Sequence, residues 1–189
     1  MAVLGSDFYK RDTETVASEL LGKVLMRRFG DELLGGVIVE TEAYFGSEDP
    51  ASRAFLGKKQ YNSVMFAEPG HLFIYNVHQY WMLNFIAHDN GVGGILVRAI
   101  EPTMGVDIMM DNRPVKRLTE LTSGPGKLTL ALDVDKSMNG LPVTDESCAI
   151  HVLDNDMAFE MGTSHRIGVT KDRPEHLRFY VKENKFVSK

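Results

Sequence analysis

A pair of strand-type segments joined by a tight turn constrains the fold of this chain more than any other feature. The first segment is KVLMRRF (23–29), the second is LLGGVIVETEAY (33–44), and Gly30-Asp31 lies at the turn between them. Branched residues favour strands, and a Gly-Asp pair favours a sharp reversal of the chain. The pattern therefore predicts a β-hairpin and an antiparallel start to the sheet.

Most of the remaining predicted elements are strands as well. Branched and aromatic residues mark strand candidates at 71–77, 81–88 and 94–102, with shorter ones near 148–153, 165–169 and 177–182. Helices are predicted between the Asp12-Thr13 cap and Gly22, at 103–112 and at 123–132. Because strands follow strands and helices are few, the sequence predicts an α+β fold. We expect a single mixed domain over 1–189, with a curved, mainly antiparallel sheet and flanking helices.

The composition is typical of a soluble globular protein. The 189 residues are 43% hydrophobic and 25% charged, and no apolar run approaches the ~18 residues that a membrane span needs. The single cysteine, Cys148, excludes an internal disulfide and a cysteine-based zinc site, and it fits a reducing compartment. We therefore expect a cytoplasmic protein without a membrane partner.

Charge is distributed unevenly along the chain. The net charge is −5, which argues weakly against a nucleic-acid partner, yet residues 164–189 hold seven Lys and Arg against three acids, a local +4. This basic segment, with Arg166 near its start, is either a footprint for phosphate or an ordinary solvated face. The sequence leaves both interpretations open.

A cluster of polar side chains on one strand is the first candidate for chemistry. In VETEAY (39–44), Glu40, Glu42 and Tyr44 share one face of a strand, either in a polar cleft or on the solvent side of an amphipathic strand. Arg98 lies in the apolar run ILVRAI (95–100) and needs a buried partner, for which Glu42 and Glu40 are the plausible carboxylates. A structural ion pair explains Arg98 as well as a catalytic one.

Two further segments have weaker signals. Residues 71–81 are rich in aromatic and imidazole side chains, which suit base stacking but more often form a core, and their histidines match no familiar metal spacing. Ser123-Gly124-Pro125-Gly126-Lys127 opens a predicted helix, where free amides and Lys127 suit a phosphate, although the P-loop pattern is absent.

Taken together and in order, these segments resemble the alkyladenine (3-methyladenine) DNA glycosylase family. The matching pieces run from about residue 18 to 181: LLGKVLMRR (20–28), VETEAY-GSEDPAS (39–52), VMF-EPGHLFIY (64–75), MLN (82–84), ILVRAIEP (95–102), LTSGPGKL-LAL (121–132), RIGV (166–169) and LRFYV (177–181). Each motif alone is weak, but eight in collinear order are specific. The resemblance implies a mixed domain with a curved antiparallel sheet. It also implies hydrolysis of the N-glycosidic bond of a damaged purine flipped out of DNA.

The resemblance also assigns the catalytic roles. The acid of Glu-Ala-Tyr is the family's general base, which places this role on Glu42 rather than Glu40, so Glu42→Gln is expected to abolish base release and Glu40→Gln to reduce it far less. Arg98 matches the arginine that fixes the attacking water, and its charge is expected to keep Glu42 ionised. Neither a metal nor a cofactor is expected.

The roles implied for binding are spread along the chain. The base-binding positions are Tyr44 and Tyr75, whose rings sandwich the flipped base, Asn84, which screens normal purines, and Ile167, whose backbone contacts the water. His78 matches the side chain that wedges into the duplex. Lys127 and Arg166 are expected to meet DNA phosphates. The implied partner is double-stranded DNA with damaged purines, bound by a monomer associated with the nucleoid.

One position departs from the family pattern. After Glu48-Asp49-Pro50-Ala51-Ser52 the family usually has histidine at the lesion, whereas this chain has Arg53. Arginine accepts no hydrogen bond and stays charged, so an inward Arg53 would repel a cationic base. We expect the side chain to turn outward to a phosphate. Two alternatives to the leading interpretation remain: a nucleic-acid-binding relative of the same fold that has lost its activity, and a hydrolase of free nucleosides.

Overall fold

The computed structural model describes residues 1–189, which form four α-helices and eight strands. The helices are α1 (Ser6–Tyr9), α2 (Thr13–Glu19), α3 (Val106–Asn112) and α4 (Pro125–Ala131). The strands are β1 (Val24–Phe29), β2 (Glu32–Tyr44), β3 (Leu72–Val77), β4 (Tyr80–Ile86), β5 (Gly94–Met104), β6 (Ile150–Leu153), β7 (Met161–Ser164) and β8 (Arg178–Val181). No helix is long and apolar enough to span a bilayer.

All eight strands belong to one curled sheet in which every neighbouring pair is antiparallel. The main path runs β3-β4-β5-β2-β1-β6, and the β7-β8 ribbon joins it through β8, which pairs with β2. The predicted hairpin is the β1-β2 pair, with Phe29 opposite Glu32 beside the turn. The α+β class with an antiparallel curved sheet is therefore confirmed.

Strand β2 is the centre of the sheet because it pairs with three other strands. Its first half pairs with β1, residues 40–42 pair with β8, and β5 runs along its other edge. The neighbouring backbones approach so closely at Gly35 and Gly36 that a Cβ atom at Gly36 would overlap the backbone of Glu101. Only glycine fits such an approach, which accounts for the Gly-Gly pair inside an otherwise branched strand.

Two irregularities in the pairing of β2 with β5 determine where Arg98 points. Ile38 lies opposite Ile100 and Glu40 lies opposite Ala99, so Val39 is an extra residue in β2. Thr41 then lies opposite Val97, so Arg98 is an extra residue in β5. Such bulges twist a strand and redirect side chains. The bulge therefore turns Arg98 toward the face that carries the β2 carboxylates.

The helices pack against the sheet through buried apolar side chains and a few polar ties. Asp12 caps α2 by accepting a hydrogen bond from the Thr15 amide, as predicted. The Thr41 hydroxyl of β2 donates to the Ala17 carbonyl at 2.7 Å and fixes α2 on the sheet. On the other side, α4 begins with a proline in its first turn and packs against β4.

Two element predictions differ from the structure. The helix expected from residue 103 begins at Val106, because β5 continues to Met104 and Gly105 makes a left-handed turn with φ of 62°. The strand expected at 165–169 is wrong. The strand of this region is β7, and residues 165–169 form a loop in which the Ile167 amide donates to the side chain of Glu42 rather than to a neighbouring strand.

Candidate active site

Two buried acids and a buried arginine lie side by side where β2 pairs with β5. Glu40, Glu42 and Arg98 are all buried, and the guanidinium of Arg98 contacts both carboxylates. Its Nε donates to Glu40 Oε1 at 2.8 Å, and its Nη1 lies 3.3 Å from Glu42 Oε1. The sequence left two partners open for Arg98, and the structure gives it both.

Three donors surround the carboxylate of Glu42. The Ile167 amide donates to Oε1 at 2.8 Å, the Tyr44 hydroxyl donates to Oε2 at 2.7 Å, and Arg98 approaches Oε1. Burial raises the pKa of Glu42, and these three donors oppose that effect without cancelling it. A raised carboxyl pKa brings Glu42 closer to the working range of a general base at neutral pH.

The carboxylate of Glu40 has a different environment. Oε1 accepts from the Nε atoms of Arg98 and Arg178 and from the Ser188 hydroxyl, and Oε2 accepts from the Ser188 amide. With these four donors, Glu40 is a structural acceptor between two arginines. Replacing it would therefore disturb Arg98 as well, and we expect Glu40→Gln to reduce activity more than the sequence suggested.

A cavity of about 530 Å³ opens beside the buried pair. Its lining includes Tyr44, Arg53, Tyr75, Arg98, Ile167 and Lys171. The lining is part apolar and part polar, which suits a planar ligand held by a few polar contacts. The cavity therefore brings together Arg98 and Ile167, which are predicted to contact the water, and Tyr44 and Tyr75, which are predicted to hold a base. Glu42 is fully buried behind this lining and contacts the cavity only through Tyr44, Arg98 and Ile167.

The two tyrosines of the cavity are held by neighbouring planar groups. The Arg166 guanidinium lies 4.5 Å from the centre of the Tyr44 ring, and Phe73 stacks on Tyr75 with ring centres 5.0 Å apart. Burial, together with the Glu42 carboxylate, raises the pKa of Tyr44 well above its usual value, so its hydroxyl remains a donor. The rings are thus fixed before any ligand arrives.

Arg53 lies on the cavity side rather than turned away from it. Its guanidinium carbon is 4.8 Å from the centre of the Tyr75 ring, although much of the side chain remains exposed to solvent. The expected outward orientation is therefore wrong for this structure. A cation–π contact with Tyr75 holds the charge at the mouth of the cavity instead.

Asn84 and His78 both lie on the β3-β4 hairpin, but Asn84 is buried and His78 is exposed. Asn84 is buried, and its Nδ2 donates to the carbonyls of Phe73 and Met82, so the amide nitrogen is already occupied. His78 is exposed in the two-residue turn of the hairpin, with a left-handed φ of 56°. The structure thus places Asn84 near the floor of the site and His78 at a protruding tip.

The prediction that Arg166 meets a phosphate is wrong. Its side chain is fully buried, and its guanidinium makes four hydrogen bonds inside the protein. Nε donates to Asp172, Nη1 to the Ala43 carbonyl and to Asp49, and Nη2 to Asp49, while Nη2 also lies 2.7 Å from Asp172 Oδ1. A buried guanidinium paired with two carboxylates is not available to a phosphate, so Arg166 instead packs against the ring of Tyr44.

Much of the basic segment 164–189 is likewise committed to internal partners. Arg173 pairs with Glu175, Arg178 with Glu40, and Lys182 with Glu160. Lys171 is exposed at the cavity rim, and Lys127 is exposed on α4. The charges available for phosphate are therefore fewer than the sequence suggested.

Sequence reasoning missed two groups that shape the site. Asp49 is fully buried against Arg166 and also accepts from the amides of Phe45 and Ala51, which closes the turn after β2. Its position inside the Glu-Asp-Pro-Ala-Ser motif was a signal. Ser188 joins the Glu40 cluster, and nothing in its local sequence marks it. No three metal-ligating side chains converge on the site.

Comparisons with known proteins give one matching family model and several similar sequences. A family model described as methylpurine-DNA glycosylase matches residues 7–185. A protein of Clostridium perfringens (strain 13 / Type A), named as a candidate 3-methyladenine DNA glycosylase, is 43% identical over 203 residues and 98% of each chain. A protein of the same description from Mesorhizobium japonicum is 41% identical over 94% of this chain and 86% of its own. Another from Aeropyrum pernix is 36% identical, over 99% and 93%.

Proposed function

The chain belongs to the methylpurine-DNA glycosylase family, and from this premise we propose that it hydrolyses the N-glycosidic bond of an alkylated or deaminated purine flipped out of duplex DNA. Membership makes it a monofunctional DNA glycosylase, a hydrolase of DNA repair. The range of lesions, the activated water and the flipped base are our proposal.

In the proposed reaction, Glu42 takes a proton from a water molecule as the water oxygen bonds to C1′ of the sugar. The bond between C1′ and the purine nitrogen breaks, and its electron pair leaves with the base. Positive charge develops on the sugar before the water bonds, and the nearby carboxylate stabilises it. A purine that already carries positive charge leaves readily, because it departs as a neutral molecule.

The contacts around Glu42 support this role. The Ile167 amide and Arg98 hold Oε1, and the Tyr44 hydroxyl holds Oε2, so the carboxylate is fixed directly behind three residues that line the cavity. A catalytic base that packed donors already hold in place accelerates a reaction more than a mobile base, because no entropy is lost in orienting it during the reaction. A protein that only bound DNA would use this buried pair for structure alone and would need no acid beside the cavity lining.

The walls of the cavity support the choice of a purine. Tyr44 and Tyr75 both line it, and aromatic faces attract planar cations such as methylated purines. Val77, the residue before His78, also lines the cavity, so the proposed wedge at His78 adjoins the proposed base site. A hydrolase of free nucleosides would need no such protruding tip.

The observation that carries the proposal is the buried Glu42–Arg98 pair beside the cavity, and Glu42→Gln tests it. We expect at least ~10²-fold slower release of methylated purine from duplex DNA, with DNA binding nearly unchanged, because the amide cannot accept the proton. Released purines are separated by chromatography, and binding is followed by fluorescence anisotropy. Glu48→Gln, at an exposed acid of the following turn, is the matched control.

The pH profile gives a second readout of the same proposal. Because burial raises the pKa of Glu42, the carboxylate form is lost while pH is still above the usual range of a glutamate. The rate of base release is therefore expected to fall as pH decreases through this raised pKa. An activity that persists in Glu42→Gln, or an acid limb at the position of an ordinary glutamate, would contradict the role of Glu42.

A further inference from the structure

Ser188 makes four hydrogen bonds within the cluster around Glu40. Its amide donates to Glu40 Oε2 at 2.6 Å, and its hydroxyl donates to Glu40 Oε1 at 2.8 Å. The same hydroxyl accepts from Arg98 Nη2 at 3.1 Å, and its carbonyl accepts from Arg178 Nη2 at 3.2 Å. Ser188 is buried, and Phe186 two residues earlier packs into the main apolar core.

These bonds determine how the guanidinium of Arg98 is oriented. Glu40 accepts from Nε and Ser188 accepts from Nη2, and this leaves Nη1 directed at Glu42 Oε1. A planar guanidinium held along one edge by two acceptors has a fixed plane. Without the hydroxyl of Ser188, Arg98 would keep its Nε contact and be free to tilt about it.

We propose that Ser188 is a positioning residue for base release, because its hydroxyl fixes the plane of Arg98 and thereby the contact between Arg98 and Glu42. This inference rests on the proposed roles of Glu42 and Arg98. Ser188 does not line the cavity, so it acts on the reaction through its hydrogen bonds with Arg98 and with Glu40, which also holds Arg98. The segment Phe186–Ser188 thus connects the apolar core, which contains Phe186, with Glu40 and Arg98, which bind Ser188.

Ser188→Ala tests the inference, because it removes the hydroxyl and keeps the amide bond to Glu40. Ser164→Ala is the matched control, since the Ser164 hydroxyl contacts Arg178 on the same cluster but not Arg98.

Single-turnover release of 7-methylguanine from a duplex is measured for both variants, together with DNA affinity and thermal unfolding. We expect about tenfold slower release for Ser188→Ala with unchanged affinity. Ser164→Ala is expected to match the wild type, and Ser188→Thr, which restores the hydroxyl, to recover most of the rate.

The acid limb, which is the fall in rate as pH decreases, distinguishes a positioning role of Ser188 from a simple loss of stability in Ser188→Ala. Glu42 faces Arg98 from β5 and Glu40 and Tyr44 from its own strand, and Tyr75 lies across the cavity. A looser Arg98 opposes the effect of burial on the pKa of Glu42 less, so the acid limb moves to higher pH in Ser188→Ala. A variant that is only less stable keeps the wild-type limb.

Three results would overturn the inference. One is a Ser188→Ala protein with wild-type rate and acid limb, and another is an equal loss of rate in Ser164→Ala. The third result concerns the Arg98 Nε–H signal in ¹H–¹⁵N spectra, which is assigned by its loss in Arg98→Lys. We expect this signal to shift and its proton to exchange faster in Ser188→Ala. An unchanged signal would overturn the inference. This signal needs no turnover, so a wild type that releases no base would refute the proposed function separately. If Ser188→Ala does not fold, Ser188→Cys, with a weak donor of similar size, takes its place.

Discussion

The charge of Arg53 stands at one wall of the cavity that we assign to the damaged base. Its guanidinium lies against Tyr75, which is also the ring proposed to stack on the purine. A purine methylated at N7 carries positive charge, whereas hypoxanthine is neutral. Arg53 therefore opposes the first lesion through repulsion and has no such effect on the second.

Replacing Arg53 with His or Gln is expected to change the preference between these lesions. Removing ~1.4 kcal/mol of repulsion between Arg53 and a cationic base corresponds to a factor of ten in rate. At pH 8, where histidine is largely neutral, both variants should therefore raise kcat/KM for 7-methylguanine about tenfold relative to kcat/KM for hypoxanthine. Base release from matched duplexes measures the ratio. An unchanged ratio in both variants would show that Arg53 moves away from the cavity when DNA binds.

At the residue scale, the sequence predicts local pairs better than distant ones. Glu42 and Arg98 were predictable together, because a charge in an apolar strand needs a partner and two acids faced the same way. The bulge that aims Arg98 and the approach of Ser188 were not, because both depend on how residues far apart in the chain pack. The predicted phosphate role of Arg166 failed for the same reason, since Asp49 is 117 residues away.

At the scale of elements, the β3-β4 hairpin is set firmly on α4. A Cβ atom at Gly126 would lie 2.8 Å from Cγ of Tyr80, so the ring packs directly on the helix backbone. The Thr129 hydroxyl donates to the Trp81 carbonyl at 2.9 Å and adds a polar tie. The hairpin tip with His78 is therefore a rigid projection, as a wedge into DNA requires.

His78→Asn is expected to impair activity on duplex DNA only. Asparagine tolerates the left-handed backbone of this position and is too short to fill the space of an extruded nucleotide. Release of a lesion from duplex should fall about tenfold, whereas release from single-stranded DNA, which needs no unpairing, should stay the same. Gln79→Ala, at the next residue of the turn, is the control. Equal losses on both substrates would contradict the wedge.

Most elements were predictable from the sequence because local patterns define them. The Gly30-Asp31 turn gave the hairpin, and the Asp12 cap gave α2. The loop at 165–169 was taken for a strand because its residues suit one. The Ile167 amide of this loop instead donates to Glu42, and the amide and the guanidinium of Arg166 both donate to Asp172. Tertiary contacts override local propensity here.

At the scale of the whole molecule, an acidic protein has to approach an acidic polymer. The net charge is −5, and four of the seven basic residues in 164–189 pair with carboxylates of the protein itself. Phosphate contacts therefore depend on a few exposed cations, among them Lys171 at the cavity rim and Lys127 on α4. Binding should still weaken with salt, but less steeply than the basic segment alone suggested.

This distribution of charge can be tested with Lys171, at the cavity rim, and Lys182, which directly follows β8. Lys171 has no carboxylate partner, whereas Lys182 pairs with Glu160, so only Lys171 has a charge free to displace counterions from DNA. Lys171→Gln is expected to lower affinity for a lesion duplex and to reduce the slope of log affinity against log salt by about 1. Lys182→Gln should leave both unchanged. Titrations by fluorescence anisotropy at several salt concentrations measure the slopes. Equal slopes in all three proteins would mean that phosphate binding uses another surface, and a wild-type slope of zero would remove DNA as the partner.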